Sequence, residues 1–191
     1  MAAVTGPVLP SALFECIQDT LRTAARLDQE WLQKITQSDQ EKQRFTPWMP
    51  YPLYEFVALL AEAVPAAPGG RFLDIGAGPG TKMLVAQELF GLDCRGVERV
   101  PEYVDAAAEM GLAVSEADAL GWGGYGDFDV AWFNRVFRDP GAQAQLEAQI
   151  WERAVPFAVV ICANLEEPPG WWPVLDAWAD TRRGIYQKPP P

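Results

Sequence analysis

Histidine is absent from all 191 residues of the chain. Its absence removes Ser-His and Cys-His nucleophilic pairs and imidazole proton shuttles, leaving carboxylates, amides, tyrosines or a ligand that arrives already activated. Cysteine is scarce, since Cys16, Cys94 and Cys162 stand far apart with no C-x-x-C pair. A disulfide scaffold or a thiolate zinc site is not expected; each cysteine reads as a small buried hydrophobe, and no metal is expected. No run of eighteen or more apolar residues occurs although 49% of the residues are hydrophobic, so no membrane-spanning helix and no membrane partner are predicted. Met1 to Pro7 lacks the basic region and long apolar stretch of a signal peptide, which leads to the expectation of a soluble, cytoplasmic protein.

Positive charge is the minority sign. Fifteen Lys and Arg stand against 26 Asp and Glu, a formal charge of −11, which argues against a protein that coats nucleic acid by counterion release. Arg135 and Arg138, with Arg182, Arg183 and Lys188 near the end, are local exceptions suited to a small anionic feature. A chain of this length supports one ordinary domain plus an appended element. Residues 11 to 45 contain no proline or glycine, and Leu13, Ile17, Leu21, Ala24, Trp31 and Ile35 fall at helical steps. They predict one long amphipathic helix, interrupted at most near Ser38, that serves as packing or as a roof over a pocket. The proline-aromatic loop Phe45 to Pro52 follows; Trp48, Tyr51 and Tyr54 read either as an apolar wall beside a ligand or as ordinary core. The division expected is 1–52 as a helical extension with its loop, and 53–191 as the main domain.

That domain alternates strand and helix. A helix from Leu53 to Val64, a break at Pro65 to Gly70, and a strand from Arg71 come first. A helix from Thr81 to Phe90 stopping at Gly91, a strand from Leu92 to Glu98, and a helix from Pro101 to Met110 come next. A third strand is Leu112 to Ser115, a fourth Phe128 to Phe133 with its crossover helix Gln143 to Ala154, and a fifth the apolar run Phe157 to Ala163. Alternation of this kind predicts an α/β fold with a doubly wound, mostly parallel sheet. Only 28 residues remain after Ala163, and they predict a short closing hairpin between Val174 and Tyr186 turning near Thr181 to Gly184, although Trp171 to Ala179 also suits a helix.

The chemistry concentrates at Phe72-Leu73-Asp74-Ile75-Gly76-Ala77-Gly78-Pro79-Gly80, an apolar strand that reaches an acid and then three alternating glycines. A glycine turn feeding a helix lets backbone amides approach a ligand without an intruding Cβ. The dinucleotide pattern G-x-G-x-x-G is not met, because Thr81 stands where the third glycine belongs. A pyrophosphate does not favour a carboxylate on the same turn, whereas a cofactor with a sulfonium and an ammonium tolerates one. Glu98 then stands at the end of the second strand, where a carboxylate suits two ribose hydroxyls, and Asp118 follows the third.

This ordered set, over roughly residues 52 to 165, resembles the class I, Rossmann-like, S-adenosylmethionine-dependent methyltransferases. The resemblance implies that S-adenosyl-L-methionine is the cofactor, with Gly76, Ala77, Gly78 and Gly80 along its methionine end and Glu98 on the ribose. Asp118 and Ala119 would lie at the adenine, with Asp118 accepting from the amino group, and Asp74 would steady the loop and the cofactor's ammonium through water. Asn134-Arg135-Val136-Phe137 ends the fourth strand. In amino-group methyltransferases this place often carries Asn or Asp, two prolines and an aromatic; Asn134 and Phe137 match the ends of that pattern and the prolines do not. A looser similarity is to seven-strand lysine methyltransferases. Asn134 and Phe137 are the candidate catalytic residues and nitrogen the expected acceptor atom, with Asn134 as a turn-closing residue the plainer alternative. The methyl acceptor is expected to be a small molecule or protein sooner than DNA. Trp122 reads as an adenine-stacking ring or as a loop anchor. Competing readings are a non-catalytic S-adenosylmethionine-binding or partner-binding protein of the same fold and, further off, a nicotinamide oxidoreductase.

Overall fold

The structure, a computed structural model, describes residues 11–34, 45–46, 49–164, 170–176 and 183–191. Ile35, the expected break near Ser38, Trp48, Arg182 and the start of the turn expected at Thr181 lie outside these residues. Among the described residues five α-helices and seven strands follow the alternation expected: α1 (Ser11–Lys34), α2 (Leu53–Ala63), β1 (Arg71–Ile75), α3 (Thr81–Phe90), β2 (Asp93–Glu98), α4 (Pro101–Glu109), β3 (Ala113–Glu116), β4 (Val130–Asn134), α5 (Pro140–Arg153), β5 (Val159–Ala163), β6 (Trp172–Asp176) and β7 (Arg183–Gln187). None of the helices is long and apolar enough to cross a membrane.

The strands form one sheet in the order β3-β2-β1-β4-β5-β7-β6. Strands β1 to β5 pair in parallel, and β7 runs antiparallel to both β5 and β6. The sheet is thus doubly wound, with the closing hairpin in strand form over 172–176 and 183–187. Period-two alternation sorts the central strands' side chains into two cores. Phe72, Val130, Trp132, Val159 and Ile161 face a core shared with α1, α2 and α3, while Leu73, Ile75, Ala131, Phe133, Val160 and Cys162 face one shared with α5. Both faces being covered explains why these strands read as unbroken apolar runs. Leu21 and Ala24 of α1 enter the first core, so the helical extension packs into the same interior as the sheet.

Element ends follow local chemistry. α2 gives way to a single 3-10 turn at Val64–Ala66, where Pro65 has no amide to continue the α ladder. α5 starts three residues earlier than its apolar pattern suggested, because Asp139 accepts from the Ala142 amide at 2.7 Å and Pro140 takes the first helical position. The Gly121 to Gly126 stretch holds parts of two 3-10 turns, Ala119–Gly121 and Gly124–Asp127. Arg183 of β7 donates to Glu55 and, at 3.3 Å, to the Tyr51 hydroxyl, while Lys188 donates to the Glu152 and Ala154 carbonyls at 2.9 and 2.7 Å. These two cations fasten the hairpin to α2 and α5 and are not set aside for an anionic ligand.

Gly96 of β2 lies where α3 presses on the sheet. A Cβ there would stand 2.8 Å from Met83 Sδ, 2.9 Å from Ala77 Cβ and 3.0 Å from Val114 Cγ2. Gly96→Ala is therefore expected to destabilise the fold by roughly 1–3 kcal/mol, read from the urea midpoint at unchanged slope; an unshifted midpoint would show that α3 is not seated this tightly.

Candidate functional site

Winding β1-β2-β3 one way and β4-β5 the other leaves a crevice beyond the carboxyl ends of β1 and β4, the usual ligand position in such sheets. The chain leaves β1 through Gly76, Gly78 and Gly80, with φ of +75°, +56° and +84°, a region that side-chain-bearing residues adopt only with strain. Gly80 caps α3, and a Cβ there would stand 2.8 Å from Leu112 Cδ1. The alternating glycines are thus three left-handed steps that fold the loop back over the sheet. Glu98, at the end of β2, holds this loop: one carboxylate oxygen accepts from the Gly78 amide at 2.8 Å, and the other from the Arg99 and Val100 amides at 2.7 and 2.9 Å.

A pocket of about 380 Å³ opens along this edge, within the size range of small-molecule sites. Of the residues singled out in the sequence, Gly76, Glu98, Ala119 and Asn134 line it, together with Arg135. Asp74, Ala77, Gly78 and Gly80 lie behind that lining: Asp74 and Ala77 are fully buried, and Gly78 acts through its amide. Asp118 caps the turn after β3 by accepting from the Leu120 amide at 3.0 Å, so that its neighbours Ala117 and Ala119 form the pocket surface. Phe137 is fully buried, donates its amide to Gln143 Oε1 at 3.0 Å, and lies against Phe45 with ring centres 5.2 Å apart. It supports the pocket from below and does not line it.

The segment ahead of α2 does reach the site. Phe45 pairs with Phe137 as an antiparallel bridge, the Thr46 amide donates to the Val136 carbonyl at 3.0 Å, and Phe45, Thr46 and Met49 line the pocket. Arg99 lies over the Phe45 ring at 4.3 Å. Tyr51 is core instead, edge-on to Trp132 at 4.8 Å, and Tyr54 is exposed with its hydroxyl on Gln18. Trp122 anchors its loop, 5.0 Å from Tyr125 and 6.0 Å from Phe128 between ring centres. Among the described residues none of α1 lines the pocket; that helix meets the start of α3, where Thr81 donates its hydroxyl to Asp28 at 2.5 Å.

No protein-family model and no curated protein sequence matches the chain. Solved structures do. An RNA methyltransferase from Salinibacter ruber in complex with S-adenosyl-L-homocysteine superposes with a TM-score of 0.60 at 20% identity, over 75% of this chain and 95% of that one. The N-methyltransferase NodS from Bradyrhizobium japonicum WM9 gives 0.55 at 10% identity, over 72% and 96%. The chain has the class I methyltransferase fold.

Within that methyltransferase fold three residues were not legible as site residues from the sequence. Asn164, directly after β5, lines the pocket and donates from Nδ2 to Asn134 Oδ1 at 2.7 Å; its signal was a polar residue closing a wholly apolar run. Tyr103 of α4 also lines the pocket, its phenol pushed up to about 12 by burial, with Glu98 and Glu102 adding, so that it stays protonated. Asp28 announced itself only as a charge on the stripe that carries Leu21 and Ala24.

Asp28, Asp74 and Lys82 are 3%, 0% and 5% exposed, so two carboxylates and one ammonium are buried beneath the glycine loop. Neither oxygen of Asp74 has a hydrogen-bond partner among the described residues. Burial raises its pKa to about 6; Lys82 opposes the shift, and Glu98 and Asp28 add to it. Burial also raises Asp28, against the Thr81 hydrogen bond and Lys82. Because the folded-state value of Asp74 lies above the ordinary 3.8, the folded protein binds the extra proton between about pH 4 and 6. Stability therefore falls as pH rises through that window, by about 3 kcal/mol at most above it. In the ligand-free protein, Asp74→Asn is expected to melt at a higher temperature than wild type at pH 7 and at the same temperature near pH 4; parallel pH profiles would refute the assignment.

Proposed function

We propose that the protein is an S-adenosylmethionine-dependent methyltransferase that acts on a nitrogen acceptor of a small molecule or protein. The observation that carries this reading is the meeting of Gly76, Glu98 and Asn134 on one pocket, with an acid for ribose at one end and a neutral amide at the other. The residues present fit the cofactor. Glu98 uses its carboxylate to fix the loop and the Arg99 and Val100 amides, and keeps a lone pair on the oxygen that holds Gly78 for a ribose hydroxyl. Ala117 and Ala119 offer a flat, small-residue surface to a purine. Asp74, buried with no hydrogen-bond partner among the described residues, sits where positive charge is favoured, which suits a ligand with a sulfonium and an ammonium.

S-adenosylmethionine supplies a methyl group on sulfonium sulfur that needs alignment more than acid–base assistance. The chain's part is then positioning. Asn134 at the end of β4 presents a neutral oxygen that orients an amine without stabilising its protonated form as a carboxylate would. Held this way, an amine would have its lone pair aimed in line at the methyl group, and the proton the nitrogen sheds on transfer would pass to water. That a chain without histidine performs such a reaction is consistent with its needing no strong base.

Calorimetry with S-adenosylmethionine and S-adenosylhomocysteine tests the reading. Wild type should bind both, and Gly76→Val should bind neither, because the position has φ +75° and its Cβ would meet Val136. Glu98→Ala should weaken both by about 10- to 100-fold. No binding by folded wild type would overturn the proposal; binding with no product in a tritiated-methyl screen of proteins and amines would favour the non-catalytic alternative.

A further inference from the structure

We infer that Asn164 is a second acceptor-binding residue, and that with Asn134 it selects a primary amine, one that still carries two N–H hydrogens. This inference rests on the methyltransferase reading above. Asn134 pairs with Ala163 across β4 and β5, so Asn164 is the next residue along the same edge. Both asparagines line the pocket, and Asn164 Nδ2 donates to Asn134 Oδ1 at 2.7 Å. Asn164 is held at φ +57°, a left-handed conformation that asparagine tolerates better than most residues.

The hydrogen bond fixes what the pair has to offer. Asn134 Oδ1 has spent one lone pair on Asn164 and retains a second, while Asn164 Oδ1, an acceptor only, accepts from none of the described residues. Oxygen and nitrogen of one amide lie about 2.3 Å apart by its bond lengths. With the 2.7 Å contact, the two carbonyl oxygens are thus no more than about 5 Å apart. A primary amine that donates both hydrogens at an ordinary length of about 2.9 Å spans two oxygens roughly 4.7 Å apart. That limit lets both oxygens fall within reach of one NH₂ group, and an amine held by both hydrogens has its lone pair directed away from both oxygens, towards the methyl donor.

A hydroxyl has one hydrogen and would leave one oxygen without a donor. The same is true of the product: after the N–C bond forms, the C–S pair returns to sulfur and one proton leaves to water, the nitrogen retains a single N–H. The pair thus favours one methylation over two.

Sinefungin tests this without the natural acceptor, because it carries a primary amine on carbon where the cofactor carries its methyl sulfonium. Calorimetry would compare it with S-adenosylhomocysteine on wild type and Asn164→Ala. Wild type should bind sinefungin about tenfold or more tighter than S-adenosylhomocysteine. Asn164→Ala should hold the S-adenosylhomocysteine Kd within about twofold and lose most of the sinefungin preference. Equal losses for both ligands in Asn164→Ala would mean that the residue only closes the strand edge, and an undiminished preference would mean that it does not face the amine; either overturns the inference. Binding of S-adenosylhomocysteine by wild type with no sinefungin preference removes the inference alone, whereas no binding of S-adenosylhomocysteine removes the methyltransferase reading and this inference with it.

Discussion

The site depends on how the chain leaves β1. Three glycines with positive φ turn the backbone back over the sheet, and the Gly78 amide closes the turn on Glu98 at 2.8 Å. That one bond links the ends of two neighbouring parallel strands to the start of α3. Through it the loop, the Glu98 carboxylate and the helix N-terminus share one geometry. A side chain at Gly80 would press on Leu112, and one at Gly96 on Met83, Ala77 and Val114. The close seat of α3 and the shape of the loop are therefore the same constraint seen from two sides.

Beneath that loop the molecule accepts an electrostatic cost. Two carboxylates and one lysine are buried together, and Asp74 has no hydrogen-bond partner among the described residues. Charges in such surroundings are unfavourable unless something pairs them, and sites with this property are commonly functional. Thr81 relieves part of the cost by donating to Asp28, which also joins α1 to the start of α3. The helical extension thus contributes to the floor of the site by charge and packing, while the short segment after it, Phe45 and Thr46, is stitched by backbone pairing to the residues that follow β4.

Most of the fold was legible because the signals are local. An apolar run of five or six residues bounded by glycine or proline reads as a buried strand, and the stop at Gly91 and the start at Pro101 are rules of helix ends. Boundaries moved where a side chain intervened, as when Asp139 drew α5 back to Pro140. The site was legible in part. Gly76, Glu98, Ala119 and Asn134 stand where strand ends put them. Phe137, Tyr51 and Tyr54 do not, because an aromatic residue suits core and pocket equally well, and only the neighbours choose between them.

The sequence by itself determined the alternation of elements, the glycine turn, and the acids and amide at successive strand ends, since each is a property of residues within a few positions of one another. Tertiary structure alone decided which side chains meet across the sheet edge. Asn164 joins Asn134 because β5 lies beside β4, Asp28 reaches Thr81 across 53 residues because α1 packs on α3, and Phe45 forms part of the pocket because Phe137 is beneath it. Those contacts arise from strand order and packing, which no local pattern encodes.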